Sequence, residues 1–463
     1  MLDYDLDARE DASLYEFLYR SIRDDIESGV LAPGAKLPSK RSFAQHLGVS
    51  VITVENAYAQ LVTEGYCHAR PRSGHYVAEL PFVMRRENLA APQTPRESAE
   101  PDVAFDLSRV TIDSSVVARV WGRALRGALS REPDDELYGP QPPQGTLRLR
   151  RAIADRLRQT RGIEVDASCI VIGAGSQLLD AALVQLLRPM GPIALENPGY
   201  PRLAQIYEAA GASVCPVALD AGGMRMDGLR ASDASLVHVM PSHQFPTGIV
   251  TSITRRRELL GWASEAEGRY IIEDDYDAPF RMAGRPVASL MSIDTGGHVI
   301  YTNTFSKSLG PALRMAFMVL PPALADDWAG KVGFYANTVS VVDQIALARM
   351  LESGDYERHV NRYRKAQRDV RDAFIDELAL ALPAGRARVE EADSGLHFVL
   401  VIADADEESI TAAALERGVR LAPLGDYALG KLPERDDARF AIQYGGLDVE
   451  SARAAARIIA ECV

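Results

Sequence analysis

Four apolar runs, each closing on a cluster of polar residues, constrain this chain more than any other feature. They are "CIVIGAGSQLL" from Cys169, "PIALENPGYPR" from Pro192, "RYIIEDDYD" from Arg269 and "HVIYTNTFSK" from His298. From Phe105 onward such strand-like runs alternate with amphipathic helical stretches, the pattern of an α/β fold around a largely parallel sheet. In open sheets of that kind ligands bind beyond the carboxyl ends of the strands, so the four clusters are expected to converge on one site. The 463 residues also exceed the roughly 250–300 at which a single core stops growing, so at least two units are expected.

The clusters have complementary chemistry. Gly175, Ser176 and Gln177 sit where a glycine loop enters a helix, and such a loop offers free backbone N–H groups to a phosphate. Asp274 closes the third run, and an acid there can hold a ring nitrogen protonated, making a pyridinium an electron sink. Lys307 closes the fourth between two serines. An isolated lysine is usually a solvated surface charge, but a lysine inside a shared pocket loses its proton readily and can form a Schiff base with an aldehyde. Arg314, seven residues later, can clamp a phosphate on two prongs. Together these are the parts needed to hold pyridoxal 5′-phosphate.

The first eighty residues read differently. "SLYEFLYRSIRDDIESG" is expected to be a helix, with Ser13 and Glu16 as a capping box and Gly29 as its stop. "LPSKRSFAQHLGVSVITVENAYAQLVTEGY" follows, two helices joined at Leu47-Gly48-Val49, with Ser39 and Ser50 as caps. In the second of these Val54, Ala57, Tyr58 and Leu61 are expected inside, and Val51, Ile52, Thr53, Glu55 and Asn56 outside. "CHARPRSGHYVAEL" alternates like a hairpin with Ser73-Gly74 at its tip. A helix, a helix-turn-helix and a two-stranded wing make the layout of a winged DNA reader, whose second paired helix enters the major groove. Charge agrees: residues 1–35 balance to −6, while residues 36–76 balance to +3 and carry three histidines, although the whole chain stands at −13. Lys40, Arg41, Ser50, Thr53, Arg70, Arg72, Gly74 and His75 are the candidate DNA contacts. Residues 81–104, rich in proline and alanine, read as a linker between a reader over 10–80 and a large unit over 105–463.

The reader resembles the GntR family of bacterial regulators. The large unit resembles a fold-type I aminotransferase, and the whole chain resembles the MocR subgroup, through "ENPGY", "PSHQFPTG", "IIEDDYD" and "TFSKSLGPALR". The resemblance implies a winged helix-turn-helix followed by an aminotransferase-like domain with a smaller C-terminal α/β subdomain. It implies that Lys307 forms the Schiff base with the cofactor, that Asp274 pairs with the pyridine nitrogen and that Tyr276 meets the ring hydroxyl. Thr304, Ser306 and Arg314 would bind the phosphate, and Tyr200 would lie beside the ring. Arg202 would meet an effector carboxylate, and His243 either approaches the cofactor or is satisfied within its loop. Asp275 and Asp277 are expected as solvated strand-end charges, and "NRYRKAQRDVRDAF" as the solvated face of a helix.

Three positions depart from the family pattern. Val51 stands where many relatives place arginine, which shifts DNA contact toward Thr53, Arg41 and the wing. Phe245 stands where working aminotransferases carry asparagine. Ala441 stands where they carry an arginine that clamps the substrate carboxylate. Losing a bidentate contact disfavours an ordinary α-amino acid substrate. The expected function is therefore a regulator that binds operator DNA and senses, at Lys307, an amine, an amino acid or pyridoxal phosphate itself, controlling vitamin B6 or amino-acid and amine metabolism genes. The alternative is an active aminotransferase with a DNA-binding appendage. The resemblance also implies a head-to-tail homodimer. "MLDYDLDARED" lacks the basic-then-apolar order of a signal peptide, and the four cysteines are scattered without metal-binding spacing. No membrane span or metal is expected, and the cytoplasm is the expected location.

Overall fold

The computed structural model describes residues 2–9, 12–80, 103–282, 287–393, 395–430, 432 and 436–463. It divides into two compact units, Met1–Glu100 and Pro101–Val463. Nearly all of the expected linker lies outside the described residues.

In the first unit, α1 (Leu14–Glu27), α2 (Lys40–Leu47) and α3 (Val51–Thr63) precede a hairpin of β1 (Cys67–Arg70) and β2 (Gly74–Val77). Leu18, Ile22 and Ile26 of α1 meet Phe43, Val54, Tyr58 and Leu61 in a core of its own. Ser39 and Ser50 cap α2 and α3 through bonds from the Ser42 and Thr53 amides. Gly48 closes α2 in the left-handed region, at φ 67°. Ser13 begins α1 but makes no side-chain cap; Glu16 bonds Arg20 one turn along instead. The hairpin turn is Pro71–Ser73, one residue earlier than the sequence suggests, with Arg72 at φ 58° and Gly74 already in β2.

The second unit opens with β3 (Phe105–Asp106). Its large sheet is built from β4 (Ile170–Gly173), β5 (Ile193–Asn197), β6 (Val214–Asp220), β7 (Gly223–Met224), β8 (Leu236–Val239), β9 (Tyr270–Asp274), β10 (Val299–Thr304) and β11 (Ala316–Val319). Their order across the sheet is β4-β11-β10-β9-β8-β5-β6-β7. The pairs β10–β9, β9–β8, β8–β5 and β5–β6 are parallel, whereas β11 opposes both its neighbours. The sheet is thus largely parallel, as expected. Strands such as β4, β5 and β8 are buried on both faces, which is why they read as unbroken apolar runs, whereas β6 near the edge is mostly half-exposed or exposed.

This order fixes the site. The carboxyl ends of β4, β5, β8, β9 and β10 share one edge, and the strand order changes direction beside β5. Because β11 runs the other way, its first residue, Ala316, lies opposite both Gly173 and Thr304. Arg314, just before β11, therefore reaches the same edge.

A smaller antiparallel sheet of β12 (Ala387–Glu390), β13 (His397–Ile402) and β15 (Ala438–Gln443) follows the long helix Asp355–Ala381, while β14 (Val419–Arg420) pairs with β3. In that helix Gln367, Val370, Ala373 and Phe374 are buried, and Arg371 bonds Asp393, so "NRYRKAQRDVRDAF" is solvated on one side only.

Candidate functional site

Lys307 lies on the short helix Ser306–Leu309 after β10. That turn is held from behind: Ser308 Oγ lies 2.9 Å from the Tyr356 hydroxyl, and its carbonyl lies 2.7 Å from His359 Nε2. The Lys307 ammonium stands 5.8 Å from the centre of the Tyr276 ring. Burial lowers the lysine pKa, and Asp277 and Asp274 offset part of that effect. A lysine so placed offers a neutral amine at lower pH than a surface lysine does.

Asp274 ends β9, in register with Thr302 of β10. Behind it stands a group of residues not anticipated from the sequence. His238 of β8 places Nε2 3.7 Å from Asp274 Oδ2 and Nδ1 2.7 Å from the Tyr207 hydroxyl. Burial alone would lower the His238 pKa, but Asp274, Asp180 and Glu196 outweigh it and the pKa is raised. Asp180 and Glu196 are themselves buried, which pushes each carboxyl up to about 7. Their available signal was a lone acid inside an apolar run, in "QLLDAALV" and "PIALEN".

The next residues overturn an expectation. Asp275 and Asp277 are each 1% exposed rather than solvated. Asp275 accepts from Tyr301 at 2.7 Å and pairs with Arg161 at 2.8 Å. Asp277 lies 3.0 Å from His243 Nδ1. His243 is therefore a buried histidine with a carboxylate partner; burial lowers its pKa, but Asp277 raises it further. Such pairing is what charged groups at this depth require, although Asp277 Oδ2 has no hydrogen-bond partner among the described residues. Gly395 packs so closely here that a Cβ on it would stand 1.9 Å from Asp277 Oδ2.

The phosphate candidates do meet. Gly175, at φ 96°, precedes the helix Ser176–Leu187, and a Cβ on it would stand 2.2 Å from an Arg314 guanidinium nitrogen. Arg314 itself adopts the left-handed conformation, at φ 43°. Thr304 Oγ1 lies 3.0 Å from Ser306 Oγ and accepts from the Ser306 amide. Ser176 and Gln177 occupy the first turn of the glycine-capped helix. These groups are polar, and the missing side chain of Gly175 is what lets the Arg314 guanidinium approach the turn.

Tyr200 caps the helix Pro201–Ala209, and its ring meets Phe245 edge-on at 6.2 Å. Phe245 also meets Tyr276, His397 and Tyr427, at 6.4, 5.3 and 5.0 Å. Buried Gln244 donates to the Pro198 and Phe245 carbonyls and holds this loop. Ala441, in β15, belongs to the apolar cluster that Phe245 packs against. Phe245 and Ala441, two of the three departures from the family pattern, thus occupy one apolar corner. Arg202 is exposed, and among the described residues no hydrogen bond or ion pair joins it to the Lys307 group.

The residues fit a phosphorylated pyridine aldehyde on two structural counts. The buried Tyr276 hydroxyl has no hydrogen-bond partner among the described residues, and its aromatic ring lies next to Lys307. The Arg314 guanidinium packed on the Gly175 turn (the Gly175–Arg314 cup) is of the right charge for a phosphate. Among the described residues no group of three or more acidic, cysteine or histidine side chains could hold a metal ion.

In the first unit Lys40 and Glu55 pair at 2.7 Å across α2 and α3. Ser50 and Thr53 hydroxyls lie 2.8 Å apart at the start of α3, where Thr53 is half-exposed. Arg41, Arg70 and Arg72 are exposed. Arg70 lies over the Tyr76 ring at 4.7 Å, and His75 packs against buried Tyr58 at 5.0 Å. Gly74 lies against the Lys36 side chain.

Comparison with known proteins follows the same division. Residues 14–77 match the profile of bacterial regulatory proteins of the gntR family, and residues 113–458 match aminotransferase class I and II. The chain is 35% identical over 456 residues to the uncharacterized HTH-type transcriptional regulator YhdI of Bacillus subtilis, covering 97% of this chain and 95% of that one. It is 32% identical to the probable rhizopine catabolism regulatory protein MocR of Rhizobium meliloti, covering 97% and 93%. It is also 32% identical to the pyridoxine biosynthesis transcriptional regulator PdxR of Corynebacterium glutamicum, covering 91% and 90%. Among solved structures, an archaeal alanine:glyoxylate aminotransferase superposes with a TM-score of 0.68 at 23% identity, over 77% of this chain and 90% of that one. At that identity the likeness speaks for the fold. With a GntR reader, an aminotransferase domain and relatives aligned along nearly its whole length, the chain belongs to the MocR subgroup of GntR-family transcriptional regulators.

Proposed function

We propose that this regulator binds operator DNA through α3 and the wing, holds pyridoxal 5′-phosphate at Lys307, and changes its DNA affinity when an effector engages that cofactor. The observation carrying the cofactor reading is the pairing of an unpartnered buried Tyr276 hydroxyl beside Lys307 with the Gly175–Arg314 cup. When bound, the cofactor supplies an aldehyde with which the Lys307 amine, or an effector amine, can condense. Asp274, backed by His238, would hold a proton on the ring nitrogen. Tyr276 would donate to the ring hydroxyl. Arg314, Thr304, Ser306 and the Gly175–Gln177 turn would bind the phosphate, and Tyr200 would cover one face of the ring.

Sensing is favoured over turnover by the apolar corner. Phe245 and Ala441 give an effector carboxylate no polar partner there, so an amine, or the vitamer itself, suits the site better than an ordinary α-amino acid. A relative that regulates pyridoxine biosynthesis supports vitamin B6 as one target, and a rhizopine catabolism relative supports amine use. We assign the working form to a head-to-tail homodimer. Among the described residues no helix is long and apolar enough to cross a membrane, and a chromosomal target fits a cytoplasmic protein.

The test is covalent. Protein saturated with pyridoxal 5′-phosphate and reduced with borohydride should gain one pyridoxyl group per chain (the cofactor less one oxygen, since water leaves on condensation and two hydrogens enter on reduction), on the peptide containing Lys307, and Lys307→Ala should gain none. No adduct in the unaltered protein would end the cofactor reading. Steady transfer of an amino group between an amino acid and a keto acid would favour the aminotransferase alternative.

A further inference from the structure

The outward face of α3 opens with two apolar side chains rather than with hydrogen-bonding groups. Val51 and Ile52 are 42% and 68% exposed on its first turn. Of the polar residues near them, Thr53 has its hydroxyl engaged by Ser50 and Glu55 has its carboxylate engaged by Lys40. Asn56, one turn beyond Ile52 on the same face, is exposed and available. Single exposed apolar side chains are ordinary on protein surfaces. Two adjacent ones at the leading end of the helix share their unit with exposed Arg41 on α2 and with exposed Arg70 and Arg72 on the wing, so an apolar spot and basic side chains are available to one ligand. That combination complements a DNA groove, where phosphates flank base edges and the C5-methyl of thymine is the apolar group on offer.

We infer that Val51 and Ile52 read operator DNA by seating against thymine methyl groups, with Asn56 on a neighbouring adenine edge. The inference rests on operator binding through α3 as proposed above. Half-sites should consequently carry A·T pairs at the steps facing the first turn of α3. The Lys40–Glu55 pair has a place in this reading: it neutralises the one acid on that face, which would otherwise repel phosphates and favour cytosine.

The experiment selects binding sequences for the full chain from random duplex DNA, then replaces each thymine of the selected site by deoxyuridine, which removes only the methyl group. One or two replacements per half-site should weaken binding by about 3- to 10-fold, as expected for losing a buried methyl contact. Ile52→Ala or Val51→Ala should weaken the unmodified site while abolishing the penalty at one of those positions. Both side chains are exposed, so neither variant threatens folding. Val51→Arg should move the preferred base from thymine to guanine. Specific binding indifferent to every deoxyuridine replacement overturns the inference and leaves operator binding intact. A penalty that persists unchanged in both alanine variants also overturns it. Weakened self-association in Ile52→Ala, with no change in DNA affinity, would show that protein covers the spot. No sequence enriched over bulk DNA would overturn operator reading itself.

Discussion

At the scale of single residues the cofactor cup turns on one missing atom. Gly175→Ala would place a methyl 2.2 Å from the Arg314 guanidinium, at a φ of 96° that disfavours side chains. Either the arginine or the turn must move. Overpacking typically costs about 1–3 kcal/mol, so cofactor affinity should fall by roughly tenfold or more. Titration of the cofactor's visible band against protein checks this, and unchanged affinity would separate Arg314 from the phosphate. A second residue makes a pH prediction. Burial raises the Asp180 carboxyl to about 7 from an ordinary value of 3.8. The folded chain then binds a proton that the unfolded chain has released, so this residue opposes folding increasingly as pH rises from about 4 toward 7. In the cofactor-free protein, Asp180→Asn should have the Tm of the unaltered chain at pH 4 and exceed it by a margin that grows up to pH 8. A margin that shrinks with rising pH would contradict a protonated, buried Asp180.

At the scale of elements, under the proposed function the wing would bring charge to the DNA and α3 would bring the base contacts. Arg72 is exposed in the hairpin turn, where its φ of 58° is strained for a side chain. Arg72→Ala should weaken binding to all DNA sequences alike and reduce the slope of log affinity against log salt by about one. Filter binding at a series of salt concentrations measures it, and a sequence-dependent loss with an unchanged slope would place Arg72 on a base. Much of this was legible beforehand. Ser39, Ser50 and Gly48 announce helix ends by local chemistry, and apolar runs closed by polar clusters announce buried strands and their functional ends. What stayed hidden depends on contacts distant in sequence. No local signal says that β11 opposes its neighbours, yet that reversal brings Arg314 beside Gly175. Asp275 and Asp277 read as solvated because acids at strand ends usually are, and only the fold supplies Arg161 and His243 as partners.

At the scale of the molecule, two sites on separate units must share one free-energy difference if the effector is to control DNA. A ligand shifts an equilibrium only by its differential affinity for the two states. If the effector changes operator affinity by some factor, operator must change effector affinity by the same factor. The two units each have their own core, so substitutions can address one end of the coupling at a time. Arg72→Ala should keep cofactor uptake and effector binding while losing DNA affinity. Lys307→Ala should bind operator with the affinity of one fixed state and respond to no effector. Typical couplings span about 5- to 150-fold, well within reach of parallel titrations with and without the second ligand. Operator affinity that responds to effector while effector affinity ignores operator would mean that the response arises elsewhere than at the Lys307 site. Equal factors in the unaltered chain, both reduced to one in Lys307→Ala, would place the switch in the pocket that β4, β5, β8, β9, β10 and the start of β11 build together.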